Sequence, residues 1–215
     1  MVTANSLYYQ QMKKLAGEKR LQYQIQTDKI NLTAIRRIYK AEGVRIDYWD
    51  TKNNKIKACY FADGEPSVMI RKSLPLEPKI FALVHELKHH YVDRESILEG
   101  RHECGKYNEN EKIEIGAEVF AAQFIYPDAE MLQRLEDLGV QKGTCTPEAI
   151  VRFKRSCGAV VSYQFLLKRL TRFGYIESDE CKGVKFKNLE EKLFGTPIYK
   201  RPGFQEYRRR KSGRQ

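Results

Sequence analysis

Phe81-Ala82-Leu83-Val84-His85-Glu86-Leu87-Lys88-His89-His90 is the one stretch of the chain in which metal-binding side chains recur at helical spacing inside an apolar surround. It reads as HExxH on a largely buried helix. Residues four apart on a helix share a face, with Cβ atoms about 5–6 Å apart, so His85 and His89 can present ring nitrogens to one point the size of a zinc ion. Glu86 lies about 100° round the helix from His85. That removes it from the pair and leaves its carboxylate within reach of a water held at the metal, where it would act as general base. Phe81, Leu83, Val84, Leu87, Tyr91 and Val92 make the apolar surround, and all four histidines of the chain fall between positions 85 and 102.

A catalytic zinc site takes three protein ligands and leaves a fourth position open, so two histidines are incomplete. The pattern HExxHxxGxxH is excluded, because Val92 and Glu95 stand where it needs glycine and histidine. Downstream, residues 111–127 read as a helix that ends at Pro127, with Gly116, Ala117, Ala121 and Ala122 allowing another helix to approach closely. Glu114 and Glu118, four apart, share a face of this otherwise apolar segment, and buried carboxylates are rare unless paired or bound to metal. Glu114 is the first choice for the third ligand. Glu118 is placed behind it, orienting a ligand histidine through its ring N–H. The alternative is that both glutamates are ordinary solvated charges.

Upstream, helices are expected over residues 5–18 and 32–42, the second capped by Asn31 and ended by Gly43. Alternation predicts strands at 45–49, 56–61 and 68–70, with turn chemistry at Asp63-Gly64-Glu65-Pro66. A small, partly antiparallel sheet therefore precedes the HExxH helix, which starts near Pro78 and runs to about Asp93. The fold class is α+β. Residues 94–110 form a charged loop closed by Asn110 as a cap, in which His102-Glu103-Cys104 reads as ordinary loop rather than as a metal site.

A chain of 215 residues with 41% hydrophobic content buries about 70% of the surface its unfolded form exposes, enough for one core plus an appendage. No apolar leader segment or membrane-length run is present, and the five cysteines include no CxxC pair. A soluble, cytoplasmic protein in a reducing compartment is expected. The net charge is +11, but residues 181–215 hold 11 Lys or Arg against 3 Glu, or +8 of that total. Basicity is thus mainly a property of the tail.

His85-Glu86-Leu87-Lys88-His89 together with Glu114-Ile115-Gly116-Ala117-Glu118-Val119-Phe120-Ala121-Ala122, ending at Tyr126-Pro127, resembles the paired motifs of the ImmA/IrrE family of metallopeptidases, which are similar to thermolysin-type zincins. The likeness covers about residues 35–130 and weakens towards 175. It implies a zincin-like domain at 1–130 with N-terminal helices, zinc held by His85, His89 and Glu114, and Glu86 as catalytic base. It also implies an endopeptidase that cleaves a regulatory protein, a helix-turn-helix transcriptional repressor. Lys88 departs from the family's usual glycine, and Gly116 stands where an acidic residue is common. For the oxyanion partner Tyr60, Tyr91, Tyr107 and Tyr126 all remain open. From zincin architecture, an extended substrate would add as a strand alongside residues 67–72.

After Pro127 a helical region over 131–180 is expected, with helices at 147–156 and 161–173 joined through Cys157-Gly158-Ala159. Two readings of that outline stand. One is a helix-turn-helix DNA reader with Lys154, Arg155, Lys168, Arg169 and Arg172 near phosphates; the other is a packing hairpin with a solvated basic face. Residues 181–215 read as a basic tail whose interleaved Tyr199, Phe204 and Tyr207 could stack on bases, stay solvated or meet an acidic partner. The second functional class left standing is a DNA-binding or partner-binding regulator with a structural or silent zinc site.

Overall fold

The computed structural model describes residues 4–50, 56–100, 111–197 and Lys200. The chain opens with α1 (Ala4–Gln22) and α2 (Leu32–Ala41). Asn31 accepts the Ala34 backbone N–H on its side-chain oxygen, the geometry that favours asparagine as a helix cap. Gly43 ends the same helix at φ +68°, where a side chain would be strained. The buried face of α2 carries Ile35, Ile38 and Tyr39, and the Tyr39 hydroxyl donates to the Leu83 carbonyl at 2.7 Å. That bond ties α2 to the HExxH helix.

Strands β1 (Arg45–Trp49), β2 (Ala58–Phe61) and β3 (Ser67–Arg71) follow. Their order is β1-β3-β2, with β1 parallel and β2 antiparallel to β3. Val68 and Ile70 are fully buried, whereas Ser67, Met69 and Arg71 are half-buried, so the period-two pattern puts one face on the core. The sheet is mixed, as expected, but β3 is its middle strand. Its backbone groups are engaged on both sides, so a substrate strand cannot add alongside residues 67–72. The outer edges belong to β1 and β2.

From β3 the chain enters α3 (Leu76–Lys88). Pro78 sits in its first turn, where a missing N–H breaks no helical bond. At His89 the helix widens into one π turn (His89–Asp93) and then continues as α4 (Arg94–Leu98). Sequence periodicity carries no sign of that change of pitch. Next comes α5 (Glu111–Ile125), which packs against both α1 and α3. Its approach to α1 depends on Gly116, where an added Cβ would lie 2.6 Å from Tyr8 Cε1. Gly116→Ala is therefore expected to cost about 1–3 kcal/mol, read by urea unfolding. The loss should shrink in a Tyr8→Ala background, since the two residues are coupled.

Helices α6 (Asp128–Asp137), α7 (Pro147–Ser156) and α8 (Tyr163–Arg172) complete the expected helical region. Thr146 and Ser162 cap the last two through their hydroxyl oxygens. Beyond Cys181 the chain differs from expectation: α9 (Phe186–Phe194) folds onto α7, and Phe186 stacks on Tyr163 with centroids 4.8 Å apart. Phe186, Leu189 and Leu193 recur at helical spacing, a signal that the surrounding lysines obscure. One hydrophobic core runs from Met12 on α1 to Phe186 on α9. The loop His102-Glu103-Cys104, Tyr107, Asn110 and the tail residues Tyr199, Phe204, Tyr207 and 208–211 lie outside the described residues. No described helix is long and apolar enough to cross a membrane.

Candidate metal centre

Packing of α3 on α5 brings together three side chains separated by up to 29 positions in sequence. His85 Nε2 lies 3.2 Å from His89 Nε2 and 3.1 Å from Glu114 Oε2, and His89 Nε2 lies 3.7 Å from Glu114 Oε1. His89 and Glu114 are buried and His85 is half-buried, and one donor atom from each lies within 4.8 Å of the others. Tetrahedral zinc with ligands at about 2.0–2.1 Å would hold its donor atoms about 3.3 Å apart. The two separations from His85 Nε2, 3.1 Å to Glu114 Oε2 and 3.2 Å to His89 Nε2, lie close to that value. Two imidazole nitrogens facing a carboxylate at this range form an acceptor-rich pocket that a cation fits.

The tautomer of His89 supports the same arrangement. Its Nδ1 lies 2.7 Å from Asp93 Oδ2, so the Nδ1–H donates to that carboxylate and the Nε2 lone pair turns towards His85 and Glu114. The π turn sets Asp93 beneath the ring. Lys88 Nζ donates to Asp93 Oδ2 at 2.6 Å and to the Ile113 carbonyl at 3.2 Å, and Lys88 is 0% exposed. Burial drives the Lys88 ammonium below its ordinary pKa despite the Asp93 charge. It also pushes His89 down to about 4, opposed by the Asp93 hydrogen bond and aided by the His85 and Lys88 charges. Burial alone would raise Asp93, but hydrogen bonds from His89 and Lys88 hold it below the usual carboxylate range. His85 moves the other way: burial lowers it, and the Glu114 hydrogen bond with the Glu86 and Glu114 charges more than compensates.

Asp93 is thus the residue that sequence reasoning missed, while the charge of Glu118 is felt by His85. The Glu118 carboxylate accepts from Lys168 Nζ at 3.2 and 3.3 Å, one helical turn beyond Glu114. An aspartate four residues after the second histidine is a readable signal, obscured because periodicity alone extends a uniform helix to position 93. Lys88, which stands where the family usually has glycine, is part of the packing beneath His89.

Glu86 is 4% exposed, and its charge is felt by both His85 and Tyr39. Among the oxyanion candidates, the Tyr60 hydroxyl lies 3.0 Å from His90 Nδ1. Tyr91 is held beside Glu42 and Tyr23, and Tyr126 stacks on Phe153. Tyr8, from α1, instead feels the charges of Asp93 and Glu114.

The basic residues of α7 and α8 are largely committed within the fold. Lys154 pairs with Glu77 at 3.4 Å, Arg155 with Glu190 at 3.7 Å and Lys168 with Glu118. Arg169 is buried against the Ala122 and Tyr126 carbonyls and Asp128. Charges spent in this way favour the packing hairpin over a DNA reader.

A family model described as the IrrE N-terminal-like domain (Peptidase_M78) matches residues 39–171, a span that contains α3, the π turn and α5. No curated protein matches the chain.

Proposed function

The chain belongs to the IrrE N-terminal-like family of metallopeptidases, and from that premise we propose that it is a zinc-dependent endopeptidase acting on a regulatory protein, a helix-turn-helix transcriptional repressor. The observation that carries this is the convergence of His85, His89 and Glu114 donor atoms with buried Glu86 on the same helix turn. His85, His89 and Glu114 would hold the metal. Zinc bound there would polarise the scissile carbonyl and acidify a water molecule. Glu86 would accept a proton from the attacking water and pass it to the leaving amine. Asp93 keeps His89 in the tautomer whose Nε2 can donate its lone pair. The repressor as substrate follows from the ImmA/IrrE likeness of the paired motifs.

Metal content tests the ligand set. Purified wild-type protein is expected to carry one zinc per chain by elemental mass spectrometry, and Glu114→Ala to retain less than about a tenth of that, because one of three ligands is gone. Equal zinc in both proteins would remove Glu114 from the site. The activity is read by incubating wild-type protein with purified helix-turn-helix repressors and measuring fragment masses. Zinc bound without cleavage of any of them would favour the regulator with a silent site.

A further inference from the structure

A groove of about 460 Å³ opens one helical turn from the metal-site side chains. Phe81 precedes His85 by one turn on α3, Glu118 follows Glu114 by one turn on α5, and both line it. Its floor is apolar, built around Val119, Val161 and the edge-on pair Phe81–Phe165, whose centroids are 6.0 Å apart. Its rim is basic. Lys57 ahead of β2 and Arg172 at the end of α8 face it, and both are exposed. Glu77 and Glu118 face it too, but Lys154 and Lys168 pair with them, so their charges are offset and the rim keeps a positive excess.

We propose that this groove is the site that selects the substrate, by binding a peptide segment in which apolar side chains are flanked by aspartate or glutamate. The inference rests on the peptidase reading, because it places residues adjoining the scissile bond in the groove. The apolar floor takes the hydrophobic side chains, and the rim discriminates by charge, since like charges brought together across an interface are penalised. The volume of about 460 Å³ lies in the range of ligand-binding clefts, about 300–1,000 Å³.

The test uses zinc-loaded Glu86→Gln protein, which binds without cutting, and three fluorescein-labelled peptides read by anisotropy at low salt. The first carries Leu-Phe flanked by aspartates, the second Leu-Phe flanked by lysines, the third Gly-Ser flanked by aspartates. The first is expected to bind on the order of tenfold more tightly than either control. Reversing two exposed rim charges, Lys57→Glu with Arg172→Glu, should abolish that preference and turn it towards the lysine peptide. Equal affinity for acidic and basic peptides, an unchanged preference in the charge-reversed variant, or displacement of the peptide by a single-stranded oligonucleotide would overturn the proposal. Cleavage by wild-type protein is scored separately. Cleavage of acidic and basic peptides alike sinks the groove and spares the peptidase, whereas selective binding with no cleavage of any peptide supports the groove and sinks the peptidase.

Discussion

Glu86→Gln is expected to lower peptide hydrolysis by a factor on the order of 10²–10⁴, the usual contribution of a positioned general base, with zinc content unchanged. The substitution keeps the shape of a side chain that is 4% exposed and removes only its capacity to take a proton. Glu86 is not one of the three side chains whose donor atoms converge, so the metal should remain. Initial rates on a cleaved repressor, with elemental analysis of the same samples, separate the outcomes. A variant that cuts at the wild-type rate would deny Glu86 its role, and one that loses its zinc would make Glu86 a ligand.

Asp93→Ala is the second large effect, and it acts on two quantities at once. Lys88 is fully buried and Asp93 nearly so, with 2.6 Å between ammonium and carboxylate. Removing one partner of such a pair leaves an uncompensated buried charge, which costs about 3–5 kcal/mol. The same carboxylate receives the His89 ring N–H, and losing a partner of that kind weakens metal binding about 10–100-fold. A double variant divides the two roles. Lys88→Met with Asp93→Ala is expected to recover most of the stability, because an apolar replacement of a buried ion pair is often neutral, while zinc affinity stays low. Denaturant unfolding of the metal-free protein and zinc titration against a competing chelator measure them separately. Recovery of affinity together with stability would mean that Asp93 serves packing alone.

Local elements were largely legible. Asn31, Gly43, Thr146 and Pro147 are short-range signals, and the helices they bound begin or end within a residue or two of where those residues place them. Strand positions were legible for the same reason, since alternation around Val68 and Ile70 is decided by neighbours in sequence. The failures are non-local. β3 as the middle strand follows from β1 pairing with it across an intervening strand, and no pattern within residues 67–72 encodes that. The α9 helix is masked by composition: its three apolar residues at helical spacing lie in a segment, 181–215, that carries eight of the net eleven positive charges.

The sequence by itself determined the chemistry available to this protein: an HExxH helix, a following glutamate-bearing helix with small residues for close packing, and an α+β frame to carry them. Those are properties of residue type and spacing, which act over one or two helical turns. Tertiary structure alone decided which groups meet. Packing of α3 on α5, with α1 seated over Gly116, brings Glu114 to the two histidines. A π turn sets Asp93 beneath His89, where Lys88 at the end of α3 meets it, and Glu118 lines the groove in an ion pair with Lys168. These are contacts between distant segments, fixed by the sum of many weak packing terms rather than by any local signal.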